Sequence, residues 1–217
     1  MKRKLYILCT ILASIGLLFS SCDNSQISHR GSCGSKLKWE LTDGILLITG
    51  TGKMTDWKNN NGAPWHKYQS SINSVYIGEG VTSIGERAFS GCRNIKSVAM
   101  PNSLTSIGVF SFSECFTLAS VDIPDNVTSI GYGAFYRCNN VNTLNIGRGM
   151  MNIEDGAFNG CSLLSITCRA VTPPTLGGDI VFLGVYRSIP LYIPAESVPA
   201  YRSAKGWNEF TNIIGLR

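Results

Sequence analysis

Residues 118–138, LASVDIPDNVTSIGYGAFYRC, decide the fold, because their apolar residues recur along the chain at one fixed interval. Isoleucine stands at 84, 107, 130 and 153, phenylalanine at 89, 112, 135 and 158, and cysteine at 92, 115, 138 and 161; each step is 23 residues. A short unvarying period marks a solenoid, in which each unit buries its apolar side against its neighbours rather than within itself.

Within the quoted unit, Leu118, Val121 and Ile123 follow the L-x-x-L-x-L spacing of a short strand with alternate residues inward. The equivalent triplets are Ile95, Val98, Met100 and Val141, Leu144, Ile146, with Val75 and Ile77 in an earlier partial copy and Leu163, Ile166, Cys168 in a later one. The strands are therefore expected to stack in parallel down one side. Pro101 and Pro124 end strands, the TSI segment turns an isoleucine inward, and Ala-Phe begins a short helical turn. Gly85, Gly108 and Gly131 follow that isoleucine, at a place expected to need positive φ, although Glu154 holds it in the fourth unit.

These residues resemble the BspA-like leucine-rich repeats of bacterial surface proteins, whose unit P-x-S-V-T-S-I-G-x-x-A-F-x-G-C is best matched by Pro124 to Cys138. WELTDGILLITGTGKM with APW is similar to the family's β-rich lead-in, and LYIPAESVPAYRSAKGW to its C-terminal cap. The resemblance implies a β-rich α/β solenoid, a right-handed coil of 23-residue units between an N-terminal β-hairpin cap and a C-terminal strand-helix cap. The expected division is a cap over 33–70, repeats over 71–170 and a second cap over 171–217. The flanks also make physical sense, since an end coil exposes an apolar edge that must be covered. Leu37 to Leu41 and Ile45 to Thr49 flank Thr-Asp-Gly as a hairpin would, and Ser188 to Ile193 forms a strand pattern followed by a short helix carrying Val198 and Tyr201. Trp207 and Phe210 fit the core of that cap.

The chain opens MKRK, continues with an apolar stretch to Phe19, and reaches LLFSSC at Cys22. This is the pattern of a secretory signal over 1–21, and the apolar stretch is short for a bilayer span of about 20 residues. LLFSSC resembles a bacterial lipobox, which implies cleavage before Cys22 and lipidation of its sulfur; an ordinary signal peptide cut nearby is the alternative. Residues 22–32 are polar and lack apolar periodicity, as a lipidated cysteine with a flexible tether would. The expected location is the outer membrane, at the cell surface, with the membrane reached through the N-terminal lipid. Of 19 Lys and Arg, three (Lys2, Arg3, Lys4) lie in the signal, leaving 16 against 14 acidic residues, so charge does not point to nucleic acid.

Chemistry has few candidates. Parallel in-register cysteines keep their Cβ atoms as far apart as their Cα atoms, about 4.8 Å, whereas a disulfide wants about 3.8 Å, so the column is expected to be free, buried thiols. The only histidines are His29 and His66, without a second ligand at metal-binding spacing, and acidic residues such as Glu114, Asp122, Asp125, Glu154 and Asp155 fall in different columns. The chain is accordingly expected to be neither an enzyme nor a cofactor or metal protein.

Recognition is the remaining class. Tyr76, Asp122 and Asn145 point outward from the strands, on a face otherwise of small polar residues. Phe110, Phe116, Tyr132 and Tyr136 stand off the repeat columns, where the first unit has Arg87, Arg93, Glu86 and Ser90. They form either an exposed aromatic patch or gap-filling contacts between return segments. The family resemblance implies adhesion or recognition, with a host or bacterial surface protein as partner; a glycan-holding surface lipoprotein and a purely structural envelope protein are the other readings. No readable motif encodes the ligand or the oligomeric state.

Overall fold

The structure, a computed structural model, describes residues 28–59 and 62–217. The expected signal over 1–21 and the expected lipidation site Cys22 lie outside the described residues. The chain winds as a parallel β-solenoid whose coils present a strand side, a second strand side and a side made of turns.

The strand side carries Ser74–Ile77, Ser97–Ala99, Ser120–Asp122, Thr143–Ile146, Ser165–Cys168 and Pro190–Pro194. In-register pairs such as Leu144 with Val121 and Ile166 stack the inward residues of successive coils. Ser97–Ala99 and Ser120–Asp122 do not join in a ladder, so this side divides into two five-stranded sheets. Val98 and Met100, expected inward, are only half-buried. Met100 stands where the neighbouring coils place Ile77 and Ile123, and an unbranched side chain fits a pleated surface less well than a β-branched one.

The TSI segments form a second parallel sheet, Gly52–Lys53, Val81–Ile84, Ser106–Ile107, Ser129–Ile130, Asn152–Ile153 and Thr175–Leu176. On the third side the expected helical turn is absent. Single i to i+3 bonds, such as Ala88 N–H to Gly85 O, alternate with bonds to the next coil: Arg87 N–H to Val109 O, Phe89 N–H to Ser111 O and Gly91 N–H to Ser113 O. Every second amide therefore ties one coil to the next, which a helix would prevent.

Left-handed residues make this alternation possible, and they are not at the glycines expected. Gly85, Gly108 and Gly131 have no positive φ. Their missing Cβ serves close approach instead: it would lie 1.9 Å from Thr55 O at Gly85 and 2.7 Å from Val109 N at Gly131. Positive φ falls in two other columns, Arg87 (53°), Phe110 (50°), Gly133 (57°) and Gly156 (67°), then Gly91 (74°), Glu114 (60°), Arg137 (57°) and Gly160 (76°).

The core is a continuous stack of rings. Phe89, Phe112, Phe135 and Phe158 are fully buried, with successive centroids 4.9, 5.2 and 5.4 Å apart and planes within 14° of parallel. Trp65 heads the stack 5.4 Å from Phe89, and Phe182 continues it 5.7 Å from Phe158. Each such pair adds about 0.5–1.5 kcal/mol beyond burial. Trp207 and Phe210 close the far end edge-on against Phe182, as the sequence pattern of the cap anticipates. The indole N–H of Trp65 donates to Ala88 O and that of Trp207 to Pro174 O, whereas Trp39, edge-on to Trp65, keeps its buried indole N–H without a partner.

The caps extend the solenoid sheets. Strands Leu37–Thr42 and Ile45–Gly50 pair antiparallel through Asp43 (φ 50°) and Gly44 (φ 77°), the two left-handed residues of a tight hairpin turn. Ile45–Gly50 then pairs in parallel with Ser74–Ile77. His29–Ser32, expected within the flexible tether, is a strand paired antiparallel with Leu37–Thr42. It is fixed by backbone bonds and by His29 stacked 3.8 Å from Tyr68, contacts that need no apolar alternation in its own sequence. At the other end, strand Pro190–Pro194 leads to helix Val198–Ser203, and a final strand, Asn212–Leu216, pairs in parallel with Pro190–Pro194. Among the described residues no helix is long and apolar enough to cross a membrane.

Candidate functional surfaces

The cysteine column is interior. Cys92, Cys115, Cys138 and Cys161 are buried and free, as are Cys33 and Cys168. The Cys115, Cys138 and Cys161 thiols donate to the carbonyls of Phe89, Phe112 and Phe135 in the preceding coil, at 3.3, 3.1 and 3.4 Å. Burial pushes Cys92 and Cys161 up to about 12 and Cys115 and Cys138 well above the ordinary thiol value. Thiolate is the nucleophilic form, so these groups are inert near neutral pH. Among the described residues no cluster of three His, Cys, Asp or Glu is placed to hold a metal ion.

On the strand side, Ser74, Ser97, Ser120, Thr143 and Ser165 form an outward row of hydroxyls, with Ser97 donating to Ser74 at 3.2 Å. Tyr76, Asp122 and Asn145 lie in the adjacent row. Asn145 Nδ2 donates to Asp122 Oδ1, so those two act as one unit. Tyr76, half-buried and beside Leu47 of the hairpin, lies across the break in the ladder from them.

The turn side carries the aromatics, which the structure sorts into separate groups. Tyr132 meets Phe110 edge-on at 5.3 Å, and the guanidinium of Arg87 lies 5.3 Å from the centroid of the same Phe110 ring. Glu86 pairs with Arg87, and its backbone N–H donates to Asp56. Phe110 occupies space that a Cβ on Gly133 would fill, 2.4 Å from Cε1, and the position of a Cβ on Gly156 lies 4.0 Å from Tyr132 and 3.8 Å from Ile180. Arg87, Phe110, Tyr132 and Ile180 thus make a ridge along the solenoid axis, with Tyr132 45 % exposed and Phe110 half-buried. Phe116 stands apart, under Arg93 at 5.2 Å, and Arg93 reaches Glu114 at 3.5 Å. Tyr136 carries Arg137 at 5.4 Å.

Sequence reasoning missed Ile180, Leu183 and Tyr186, of which Leu183 is 52 % and Tyr186 79 % exposed. The step from Phe158 to Phe182 is one residue longer than the period. Allowing for that insertion puts Leu183 in the column of Tyr136 and Tyr186 in that of Phe116, so a search tolerant of single insertions finds them.

Residues 66–173 match, in six copies, the family described as BspA type leucine rich repeat region. Among solved structures, the chain is similar to a leucine-rich repeat protein from Eubacterium ventriosum (21% identity over 78% of this chain and 67% of that one, TM-score 0.51). It is also similar to the T. pallidum leucine rich repeat protein TpLRR (17% identity, 86% and 83% covered, TM-score 0.52). A third likeness is to the pneumococcal vaccine antigen PcpA (18% identity, 81% and 42% covered, TM-score 0.58). At these identities the likeness concerns the fold. No curated protein matches the chain.

Proposed function

This chain belongs, through residues 66–173, to the BspA-type leucine-rich repeat proteins, and from that premise we propose that it is an exported, non-enzymatic recognition protein holding a protein ligand on the turn side of its solenoid. The observation that carries this reading is Phe110 at φ 50°. A left-handed conformation costs a non-glycine residue about 1–2 kcal/mol, and the next two coils place Gly133 and Gly156 there. A bulky aromatic kept at that position, half-exposed and given room by Gly133, is retained against local backbone preference. With Arg87 and Tyr132 it supplies the Arg and aromatic chemistry that anchors protein interfaces. The partner class is a host or bacterial surface protein.

The remaining parts of the reading come from the N-terminal sequence and the family. Residues 1–21 are the export signal, Cys22 is lipidated, and the solenoid is displayed at the cell surface from the outer membrane; Cys22→Ser should move the protein from the membrane fraction to the soluble fraction. The ligand reading is tested by cross-linking capture from intact cells with the full chain and with Phe110→Ser/Tyr132→Ser. At least a tenfold loss of the captured protein, with thermal unfolding little changed, is expected; undiminished capture by the double variant overturns the assignment.

A further inference from the structure

A cavity of about 490 Å³ lies where the 3₁₀ helix His66–Ser71 of the N-terminal cap meets the turns of the first two repeat coils. Its walls are His66 and Gln69 on one side, Ser90, Arg93 and Asn94 on the other, and Glu114 from the next coil. Its depth has a sequence cause. Ser90 and Gly91 occupy the columns that hold Tyr136 and Arg137 two coils later, so the turn side is hollow here and filled there.

The side chains that line it are polar or charged, with Ser70 and Gly91 completing the wall. The one cation facing the cavity, Arg93, is matched by Glu114 at 3.5 Å. Asn94 is oriented by donating to Ser70 O at 2.7 Å, which leaves its side-chain oxygen as an acceptor. Ser90 is 4% exposed, yet its hydroxyl makes no hydrogen bond within the protein, and the same holds for the Gln69 amide. A hydroxyl and an amide that open on a cavity without a protein partner are free to complete hydrogen bonds with a ligand.

These features discriminate between ligand classes. No aliphatic side chain lines the cavity to seat the apolar anchor of a protein partner. A phosphate or carboxylate needs an uncompensated cation, which Glu114 removes. Amide and hydroxyl groups, which both donate and accept, and a carboxylate, which accepts, match vicinal hydroxyls, each of which does both. We propose that this cavity binds a neutral oligosaccharide, held by Gln69, Ser90, Asn94 and Glu114. It shares no residue with the Arg87–Phe110–Tyr132–Ile180 ridge and stands independently of the protein-ligand reading.

The test is calorimetric titration of the full-length protein in detergent with maltotetraose, cellotetraose, mannotetraose and chitotetraose, and with a sulfated tetrasaccharide as the anionic comparison. At least one neutral tetrasaccharide should bind with Kd of about 1 mM or tighter. Gln69→Ala should weaken it at least tenfold, and Phe110→Ser/Tyr132→Ser should leave it unchanged. Ser90→Tyr, which fills the cavity with the residue the third coil already carries in that column, should abolish binding while the fold is kept. Binding of none of the neutral sugars, binding of the sulfated sugar alone, or binding indifferent to Ser90→Tyr overturns the proposal.

Discussion

The buried thiol column should make this solenoid sensitive to alkali. Desolvation raises Cys92 and Cys161 from an ordinary 9.0 to about 12, and Cys115 and Cys138 well above 9.0. The folded state therefore keeps its thiol protons to higher pH than the unfolded chain does. Stability from this source is complete below pH 9.0 and is lost as pH rises through the folded values. One unit past the unfolded value, near pH 10, each thiol favours unfolding by about 1.4 kcal/mol. The four together amount to about 6 kcal/mol, comparable with the ~5–15 kcal/mol stability of a typical domain. Guanidinium unfolding under a phosphine reductant, followed by circular dichroism at about pH 7.5 and about pH 10, measures the loss directly. The comparison is with Cys115→Ala/Cys138→Ala, which starts less stable because it gives up two thiol hydrogen bonds and some packing. Its alkaline loss should be smaller than that of the wild type by about 3 kcal/mol, two thiols' share. Burial also raises Tyr201, but it is present in both proteins and cancels. Equal alkaline losses in the two proteins would refute the account of the column as interior thiols.

Two further expectations concern the columns. Gly131→Ala, whose Cβ would meet Val109 N at 2.7 Å, should destabilise the fold by about 2 kcal/mol or more, while Arg137→Gly, relieving a left-handed arginine at φ 57°, should be neutral or stabilising by about 1 kcal/mol; denaturant midpoints of the two variants moving together would contradict the distinction. Phe135→Ala removes a ring held between Phe112 and Phe158 and should cost about 3–5 kcal/mol, so a loss below about 1 kcal/mol in the same assay would mean that the stack is not the core.

What could be read from the chain depended on whether a constraint repeats. The isoleucine, phenylalanine and cysteine columns were legible because each coil faces the same interior, and a position pressed between two identical neighbours accepts few side chains. Trp65 and Phe182 belong to the same stack but escaped the reading, since each is displaced by one residue from the period. His29–Ser32 escaped because an edge strand is satisfied by backbone bonds that leave little mark on side-chain pattern. The aromatic candidates were nameable as departures from the columns, but whether they met was not, because contact depends on how coils are offset in space.

Period and composition by themselves thus determined the solenoid, most of its inward residues and the hairpin. Tertiary structure alone decided which glycines turn the chain and which admit a neighbouring coil, because both demands select the same residue for different reasons. It also decided that Phe110 and Tyr132 form one ridge while Phe116 stands apart, and that Ser90 and Gly91 leave a polar hollow beside the cap. Those outcomes depend on side chains from different coils and the cap being brought together across the stack, and a single repeat unit holds no information about its neighbour's surface.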